Sequence, residues 1–238
     1  MTLLLVAQPR SGSTTLFRCC IEHPKVIGIL EPFGSYIKTE FSRRLWRLSG
    51  RREWSQVLDD LDTYGNCFKT ITKQMTPKLL QRWATRPGVR TVLLTRRNKL
   101  RQAVSLWISL RTNVWLSRPE DRAKIASFAY PLISRDAVAH TLNIYHHDLL
   151  HTRSVLERVQ PLEVFYEDLF GQDFAAQLAI VEKVMAHGGF DPALLSPSHE
   201  TLRRMLSPAA KYQNVVPTIP GIEAIEDAFA EAHGSLFG

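Results

Sequence analysis

Leu3-Leu4-Leu5-Val6-Ala7-Gln8-Pro9-Arg10-Ser11-Gly12-Ser13-Thr14-Thr15-Leu16 decides the fold. Leu3 to Val6 is an apolar run of strand length, Pro9 to Thr15 is a loop of small and polar residues, and a helix-length apolar stretch opens at Leu16. A strand that breaks through such a loop into a helix makes a cradle for an anion. Gly12 permits a turn that a Cβ would forbid, and the unpaired N–H groups of a helix start point at whatever lies in front of them. Ser11, Ser13, Thr14 and Thr15 add hydroxyl donors, and Arg10 adds a permanent charge with a planar fork of donors. A dinucleotide fingerprint needs three glycines here and a Walker A loop ends in Gly-Lys-Ser/Thr; the stretch has neither, so the expected ligand is phosphorylated but is not ATP held in the usual way. The same residues also suit a Ser/Thr-rich turn that only caps a helix.

Composition narrows the class. With 238 residues, 45% of them hydrophobic, the chain can bury a real core within one domain, or one domain carrying an insertion. A formal charge of +7 favours an anionic ligand, but the Arg and Lys residues are scattered as well as clustered, so nucleic acid is not required as a partner. Cys19, Cys20 and Cys67 have no metal-binding spacing, and adjacent cysteines pair poorly as a disulfide, which points to buried thiols in a reducing compartment. No apolar run reaches membrane-spanning length, and Leu3 to Val6 is too short and lacks the basic start of a signal peptide. These features predict a soluble cytoplasmic protein without a membrane-spanning segment.

Beyond the cradle, strands and helices alternate. Val26 to Leu30 is predicted as a second strand, lying beside the cradle strand and delivering Glu31-Pro32-Phe33 to its carboxyl end, where the working residues of open α/β sheets collect. Between Tyr36 and Leu61, apolar Leu45, Trp46, Trp54, Leu58 and Leu61 alternate with Arg43, Arg44, Arg47, Arg51 and Arg52, suggesting two helices broken at Gly50 with the arginines on a solvated face. Strands are expected at Cys67 to Ile71, with Lys69 inside, at Thr91 to Thr95, followed directly by Arg96 and Arg97, and at Leu162 to Phe165. Helices are expected from Pro77 to Ala84, Lys99 to Thr112, Ser134 to Val159, Gln172 to His187, Glu200 to Leu206 and Ile222 to His233.

In the helix from Lys99, Leu100, Ala103, Val104, Trp107 and Ile108 form the inner stripe, with Arg101, Ser105, Ser109 and Thr112 on a polar one. Residues 113–133 lack a clean period and suit a lid or acceptor-binding segment. His147 and His151 imitate a zinc-protease pair at i, i+4, but Asp148 stands where that pattern has Glu and no third ligand is evident; among eight histidines a chance pair is unremarkable, so no metal is expected. Strands separated by helices throughout argue for one mostly parallel sheet covered on both faces.

Three features together resemble the sulfotransferases that use 3′-phosphoadenosine-5′-phosphosulfate (PAPS). Pro9 to Leu16 is similar to that family's 5′-phosphosulfate loop. Arg97, with Ser105 eight residues on in the setting strand, turn, Asn98, helix, is similar to its 3′-phosphate site. Tyr166-Glu167-Asp168-Leu169 after an apolar strand is a frequent mark of the family. The resemblance covers roughly residues 3 to 170. Gln102-Ala103-Val104-Ser105-Leu106-Trp107 and Glu31-Pro32-Phe33 bring it nearest to the bacterial carbohydrate branch, similar to trehalose 2-sulfotransferase and the nodulation-factor sulfotransferases. The soluble small-molecule branch differs, with Lys where Arg10 stands, Trp where Leu16 stands, and a catalytic histidine that has no clear counterpart here.

The resemblance implies a P-loop-like three-layer α/β fold in a single domain over residues 1–238, with 36–64 and 113–133 on the acceptor side or as lids. It implies sulfuryl transfer from PAPS, as co-substrate, to a hydroxyl of a small molecule, carbohydrate or glycolipid, with no metal. Cofactor binding falls to Arg10, Ser11, Gly12, Ser13, Thr14 and Thr15 at the 5′ end and to Arg97 and Ser105 at the 3′-phosphate. Arg10 also stabilises the leaving oxygen, Glu31 is the expected base for the acceptor hydroxyl, and Lys69 is the reserve polar group near the sulfate. Two other classes compete. A P-loop kinase would use Asp168 for magnesium, but the cradle lysine is missing. A basic nucleic-acid-binding protein would draw on Arg43 to Arg52, but no recognition motif accompanies them.

Overall fold

The computed structural model describes residues 1–34, 54–115, 119–171, 173–207 and 215–237. They divide into two compact units, the first comprising Met1–Thr95 with Leu149–Ser207 and the second Arg96–Asp148 with Pro208–Gly238. Of the two helices expected between Tyr36 and Leu61, the first, up to Gly50, lies outside the described residues, as do Arg43, Arg44, Arg47, Arg51 and Arg52, while the second falls on a helix at Trp54–Tyr64.

The first unit is built on five parallel strands: β1 (Thr2–Ala7), β2 (Gly28–Leu30), β3 (Cys67–Ile71), β4 (Val89–Thr95) and β5 (Leu162–Phe165), in the order β2-β3-β1-β4-β5. Leu5 of β1 stands opposite Lys69 of β3 on one side and Val92 of β4 on the other. The central position of β1 explains its unbroken apolar run, since a strand with helices on both faces has no solvent side to furnish with polar residues. Its residues alternate between two cores. Leu3, Leu5 and Ala7 join Cys67, Val92, Leu94 and Val164 under α1 (Ser13–Ile21), which brings Leu16, Phe17 and Cys20. Leu4 and Val6 join Phe68 and Leu93 on the other face. There α2 (Trp54–Tyr64) supplies Val57, Leu58 and Leu61, and α3 (Pro77–Ala84) supplies Leu79, Leu80 and Trp83. The result is helix, sheet, helix, the three-layer α/β arrangement expected.

Two local details differ from expectation. β2 begins at Gly28, because Val26 is still held in a turn by its N–H to the His23 carbonyl at 2.9 Å. β2 also pairs with β3 and not with β1, so the carboxyl end that carries Glu31 is one strand further from the cradle than a neighbouring strand would put it. Phe33 then anchors that end, its ring edge-on to Trp83 at 5.8 Å between centroids.

The second unit is helical. Its members are α4 (Lys99–Thr112), α5 (Pro119–Ala126), residues 135–148 of α6 (Arg135–Leu156) and, after the short α7 (Tyr166–Phe170), α8 (Phe174–His187) and α9 (His199–Leu206) of the first unit, the last helix α10 (Ile222–His233). Its core gathers Leu100, Val104, Ile108, Val138, Leu142, Tyr145, Ile222 and Ile225. Val114, Ile125, Tyr130 and Ile133 are buried there too, so part of the 113–133 segment is core, and α5 lies within it. Among the described residues no helix is long and apolar enough to cross a membrane.

Candidate active site

The loop after β1 is shaped by two left-handed residues, Arg10 at φ 65° and Gly12 at φ 79°. Arg10 pays for this conformation in strain, as Gly12 does not, since only glycine lacks the Cβ that crowds the left-handed region. The buried Gln8 steadies the loop from beneath: its side-chain oxygen accepts from Thr95 Oγ1 at the end of β4 at 3.3 Å, and its carbonyl accepts from Ser11 Oγ at 2.7 Å. Ser11 is buried and directs its proton to that carbonyl, so what it can offer an anion is its backbone N–H. Gly12 is the residue before α1, where no side chain caps the helix. The opening N–H groups of α1 at Ser13 and Thr14 precede its first intrahelical bond, made by Thr15 N–H to the Gly12 carbonyl at 3.0 Å. Thr14 and Thr15 are half-buried, while Ser13 is buried.

Gly12 is also where the first and third sequence motifs meet. The rings of Tyr166 and Phe170 of α7 lie side by side, tilted 37° to each other with centroids 4.6 Å apart, and an alanine Cβ at position 12 would fall 2.5 Å from Phe170 Cε2 and 2.9 Å from Tyr166 Cδ2. Leu169 between them is fully buried in the core beneath α1. The helix α7, which opens with the Tyr166–Leu169 motif, therefore backs the loop with two rings, a role the motif's position after β5 did not reveal. Phe170, one residue past the motif, was not singled out from sequence; its spacing of i, i+4 from Tyr166 was the available signal.

Glu31 and Lys69 come together as a buried ion pair, with side chains 8% and 2% exposed. Gln74, in the single turn of 3-10 helix after β3, donates from Nε2 to the second carboxylate oxygen of Glu31 at 2.6 Å and accepts the Ile71 N–H at 2.9 Å. Glu31 itself sits at φ 50°, and its N–H donates to the Lys69 carbonyl at 2.7 Å. Burial pulls the Lys69 ammonium below its ordinary value, and the Glu31 carboxylate opposes that fall. Sequence reasoning named both charged residues but neither their pairing nor Gln74, because a strand-end carboxylate and a mid-strand lysine become partners only through the β2–β3 register, in which Leu30 lies opposite Lys69.

In the second unit, Arg97 is exposed and directly precedes Asn98, whose Oδ1 caps α4 by accepting the Arg101 N–H at 2.8 Å. Ser105, two turns along α4, is buried. So are Ser109 and Thr112, which makes the polar stripe of α4 a buried one, with Arg101 half-buried at its start. Thr112 satisfies its hydroxyl on the Ile108 carbonyl at 2.8 Å. His147 and His151 are both exposed. Among the described residues no group of three His, Cys, Asp or Glu side chains is arranged to hold a metal ion.

A family model described as Stf0 sulphotransferase matches residues 76–211. Among solved structures, a sulfotransferase domain from the curacin biosynthetic pathway is similar at 15% identity, over 82% of this chain and 77% of that chain, with a TM-score of 0.44. No curated protein matches the chain. The family match begins at the N-cap of α3, includes Arg97, Ser105 and Tyr166 to Leu169, and runs to residue 211, beyond the residue 170 or so at which the resemblance read from motifs ends. It covers more than half of the chain, which belongs to the Stf0 sulfotransferase family.

Proposed function

We propose that this sulfotransferase takes the sulfuryl group from PAPS and passes it to a hydroxyl of a carbohydrate or glycolipid, in a reducing, cytoplasmic setting consistent with three free buried cysteines. The observation that carries the reading is the loop at the carboxyl end of β1. It turns on two left-handed residues, leads into an α1 without a side-chain cap, and is backed by the rings of the Tyr166–Phe170 helix.

In this proposal the N–H groups from Ser11 to Thr14, the hydroxyls of Ser13, Thr14 and Thr15, and the Arg10 guanidinium hold the 5′-phosphosulfate end. PAPS supplies an activated sulfuryl group. As the bond from the sulfur to the phosphate oxygen breaks, negative charge grows on that oxygen, and Arg10 with the loop amides stabilises it. Arg97 and Ser105 hold the 3′-phosphate, the group that tells PAPS from ATP. Transfer of a singly charged group within reach of arginine asks for no metal. Glu31 takes the acceptor proton as the new oxygen–sulfur bond forms, while Lys69 and Gln74 fix the direction of its carboxylate; each carboxylate oxygen has a second lone pair to offer.

The burial of the Glu31–Lys69 pair supports a second reading of those two residues, in which they pin the end of β2 to β3 and leave proton transfer to another group. The reading of the whole protein is tested by thermal shift with 3′-phosphoadenosine-5′-phosphate, ATP with magnesium, and an oligonucleotide. At 100 times its dissociation constant a ligand stabilises by about 2.7 kcal/mol. Only the 3′-phosphorylated nucleotide should raise the melting temperature. A rise with ATP and magnesium alone would favour the kinase class, and one with the oligonucleotide alone the nucleic-acid class.

A further inference from the structure

The segment after α10 folds back onto the start of α4. Glu226 of α10 fastens it, one carboxylate oxygen accepting from the Ser235 hydroxyl and the other from the Leu236 N–H at 2.7 Å. From there the Ser235 carbonyl accepts from Asn98 Nδ2 at 2.7 Å, and the Leu236 carbonyl accepts from an Arg101 guanidinium N–H at 3.1 Å. Leu236 is buried in the core of the second unit. Gly234 makes the close approach possible: it lies at φ 92°, and a Cβ there would fall 2.9 Å from both Cγ and Nδ2 of Asn98. Asn98 is thus held from two sides. Its oxygen caps α4 and its amide nitrogen grips the returning segment, which leaves the side chain one orientation.

Arg97 is the residue directly before this cap. An arginine brings several freely rotating bonds to a phosphate, and a ligand must bear the cost of ordering them unless the backbone that carries them is already fixed. We propose that the latch from Glu226 through Ser235 and Leu236 to Asn98 and Arg101 is a positioning device for recognition of the 3′-phosphate, holding the Arg97 backbone and the first turn of α4 ready before the nucleotide arrives. This rests on the assignment of Arg97 and Ser105 to that phosphate. None of the latch residues needs to touch the ligand. Their effect is confined to the 3′-phosphate, because the 5′ end is held by another part of the chain.

The experiment compares 3′-phosphoadenosine-5′-phosphate with adenosine-5′-phosphate by calorimetry on the full chain. The two ligands differ only by the 3′-phosphate. Glu226→Ala removes both acceptors that fasten the segment, and should weaken the first nucleotide by about tenfold while leaving the second within about twofold. Glu226→Gln keeps a side-chain oxygen to accept from the Leu236 N–H and should stay within about threefold of wild type for both. Gly234→Ala drives a Cβ into the Asn98 side chain at the same contact and should likewise weaken the first nucleotide while leaving the second within about twofold. Equal weakening of the two nucleotides, or a lowered melting temperature with an unchanged preference, would make the latch a structural brace and overturn the proposal. A wild-type protein that shows no preference for the 3′-phosphate would overturn it by another route, since the assignment of Arg97 and Ser105 would then be wrong.

Discussion

Replacing Gly12 by alanine tests whether the turn that opens α1 is as constrained as its geometry implies. At φ 79° an L-residue meets its own carbonyl, which costs about 1–2 kcal/mol. The new Cβ would also lie 2.5 Å from Phe170 Cε2 and 2.9 Å from Tyr166 Cδ2, closer than real Cβ atoms come, so the two rings must move; forcing a methyl into a packed site costs about 1–3 kcal/mol. Together the loss should be about 2–5 kcal/mol, read as a lower urea midpoint at constant slope. Phe170→Leu relieves the nearer of the two ring contacts, since it takes away that ring but neither the Tyr166 ring nor the backbone strain. In that background Gly12→Ala should cost less than in the wild type, about 1–2 kcal/mol for the left-handed conformation plus what remains of the contact with Tyr166. A Gly12→Ala protein within about 0.5 kcal/mol of wild type would refute the reasoning, because neither the turn nor the rings would then hold the loop in this form.

Three further outcomes follow from the same geometry. Glu31→Gln should leave nucleotide affinity near wild type while turnover falls about 100-fold to 10,000-fold, the range for a lost general base; a mutant that keeps most of its turnover but unfolds more readily would assign Glu31 to the β2–β3 junction alone. Lys69→Met should cost about 3–5 kcal/mol by leaving a buried carboxylate without its cation. It should also flatten the alkaline stability profile. The folded Lys69 gives up its proton below the ordinary value of 10.5, so just below that pH the unfolded chain binds more protons and wild-type stability rises with pH; an unchanged slope in Lys69→Met would show that this lysine is not the source. Arg97→Ala should weaken 3′-phosphoadenosine-5′-phosphate by about 1.5–3 kcal/mol and Ser105→Ala by about 0.5–1.5 kcal/mol, measured by calorimetry; an unchanged preference over ATP in Arg97→Ala would exclude it from the 3′-phosphate site.

Much of the fold was legible because its punctuation is local. β3, α3, α4, β5 and α10 begin and end where the sequence places them, and the three helices among them start at residues with a mechanism: Thr76 and Pro77 for α3, Asn98 for α4, left-handed Gly221 for α10. α5 was missed because its eight residues are mostly polar and show no apolar period. The order of the strands was not legible either. An apolar run says that a strand is buried but not which strand lies beside it, and so β2 was expected next to β1 when it pairs with β3. The site shares that limit. Arg10, Gly12, Glu31 and Lys69 could be picked out by residue type and by their place on or after strands, whereas Gln8, Gln74 and Phe170 act through contacts that exist only once the register is set. The period of α4 marks Ser105 and Ser109 as a polar stripe but not as a buried one, since periodicity separates one helix face from another but cannot say which of two faces a second element will cover.

The most direct measurement is a transfer assay with PAPS labelled in its sulfate, a panel of carbohydrates and glycolipids, and EDTA present. The label should appear as a sulfate ester on one class of acceptor, with 3′-phosphoadenosine-5′-phosphate released in equal amount and the rate unaffected by the chelator. Failure to turn over PAPS with any hydroxyl acceptor, or a rate abolished by EDTA and restored by a divalent metal, would contradict the proposed function.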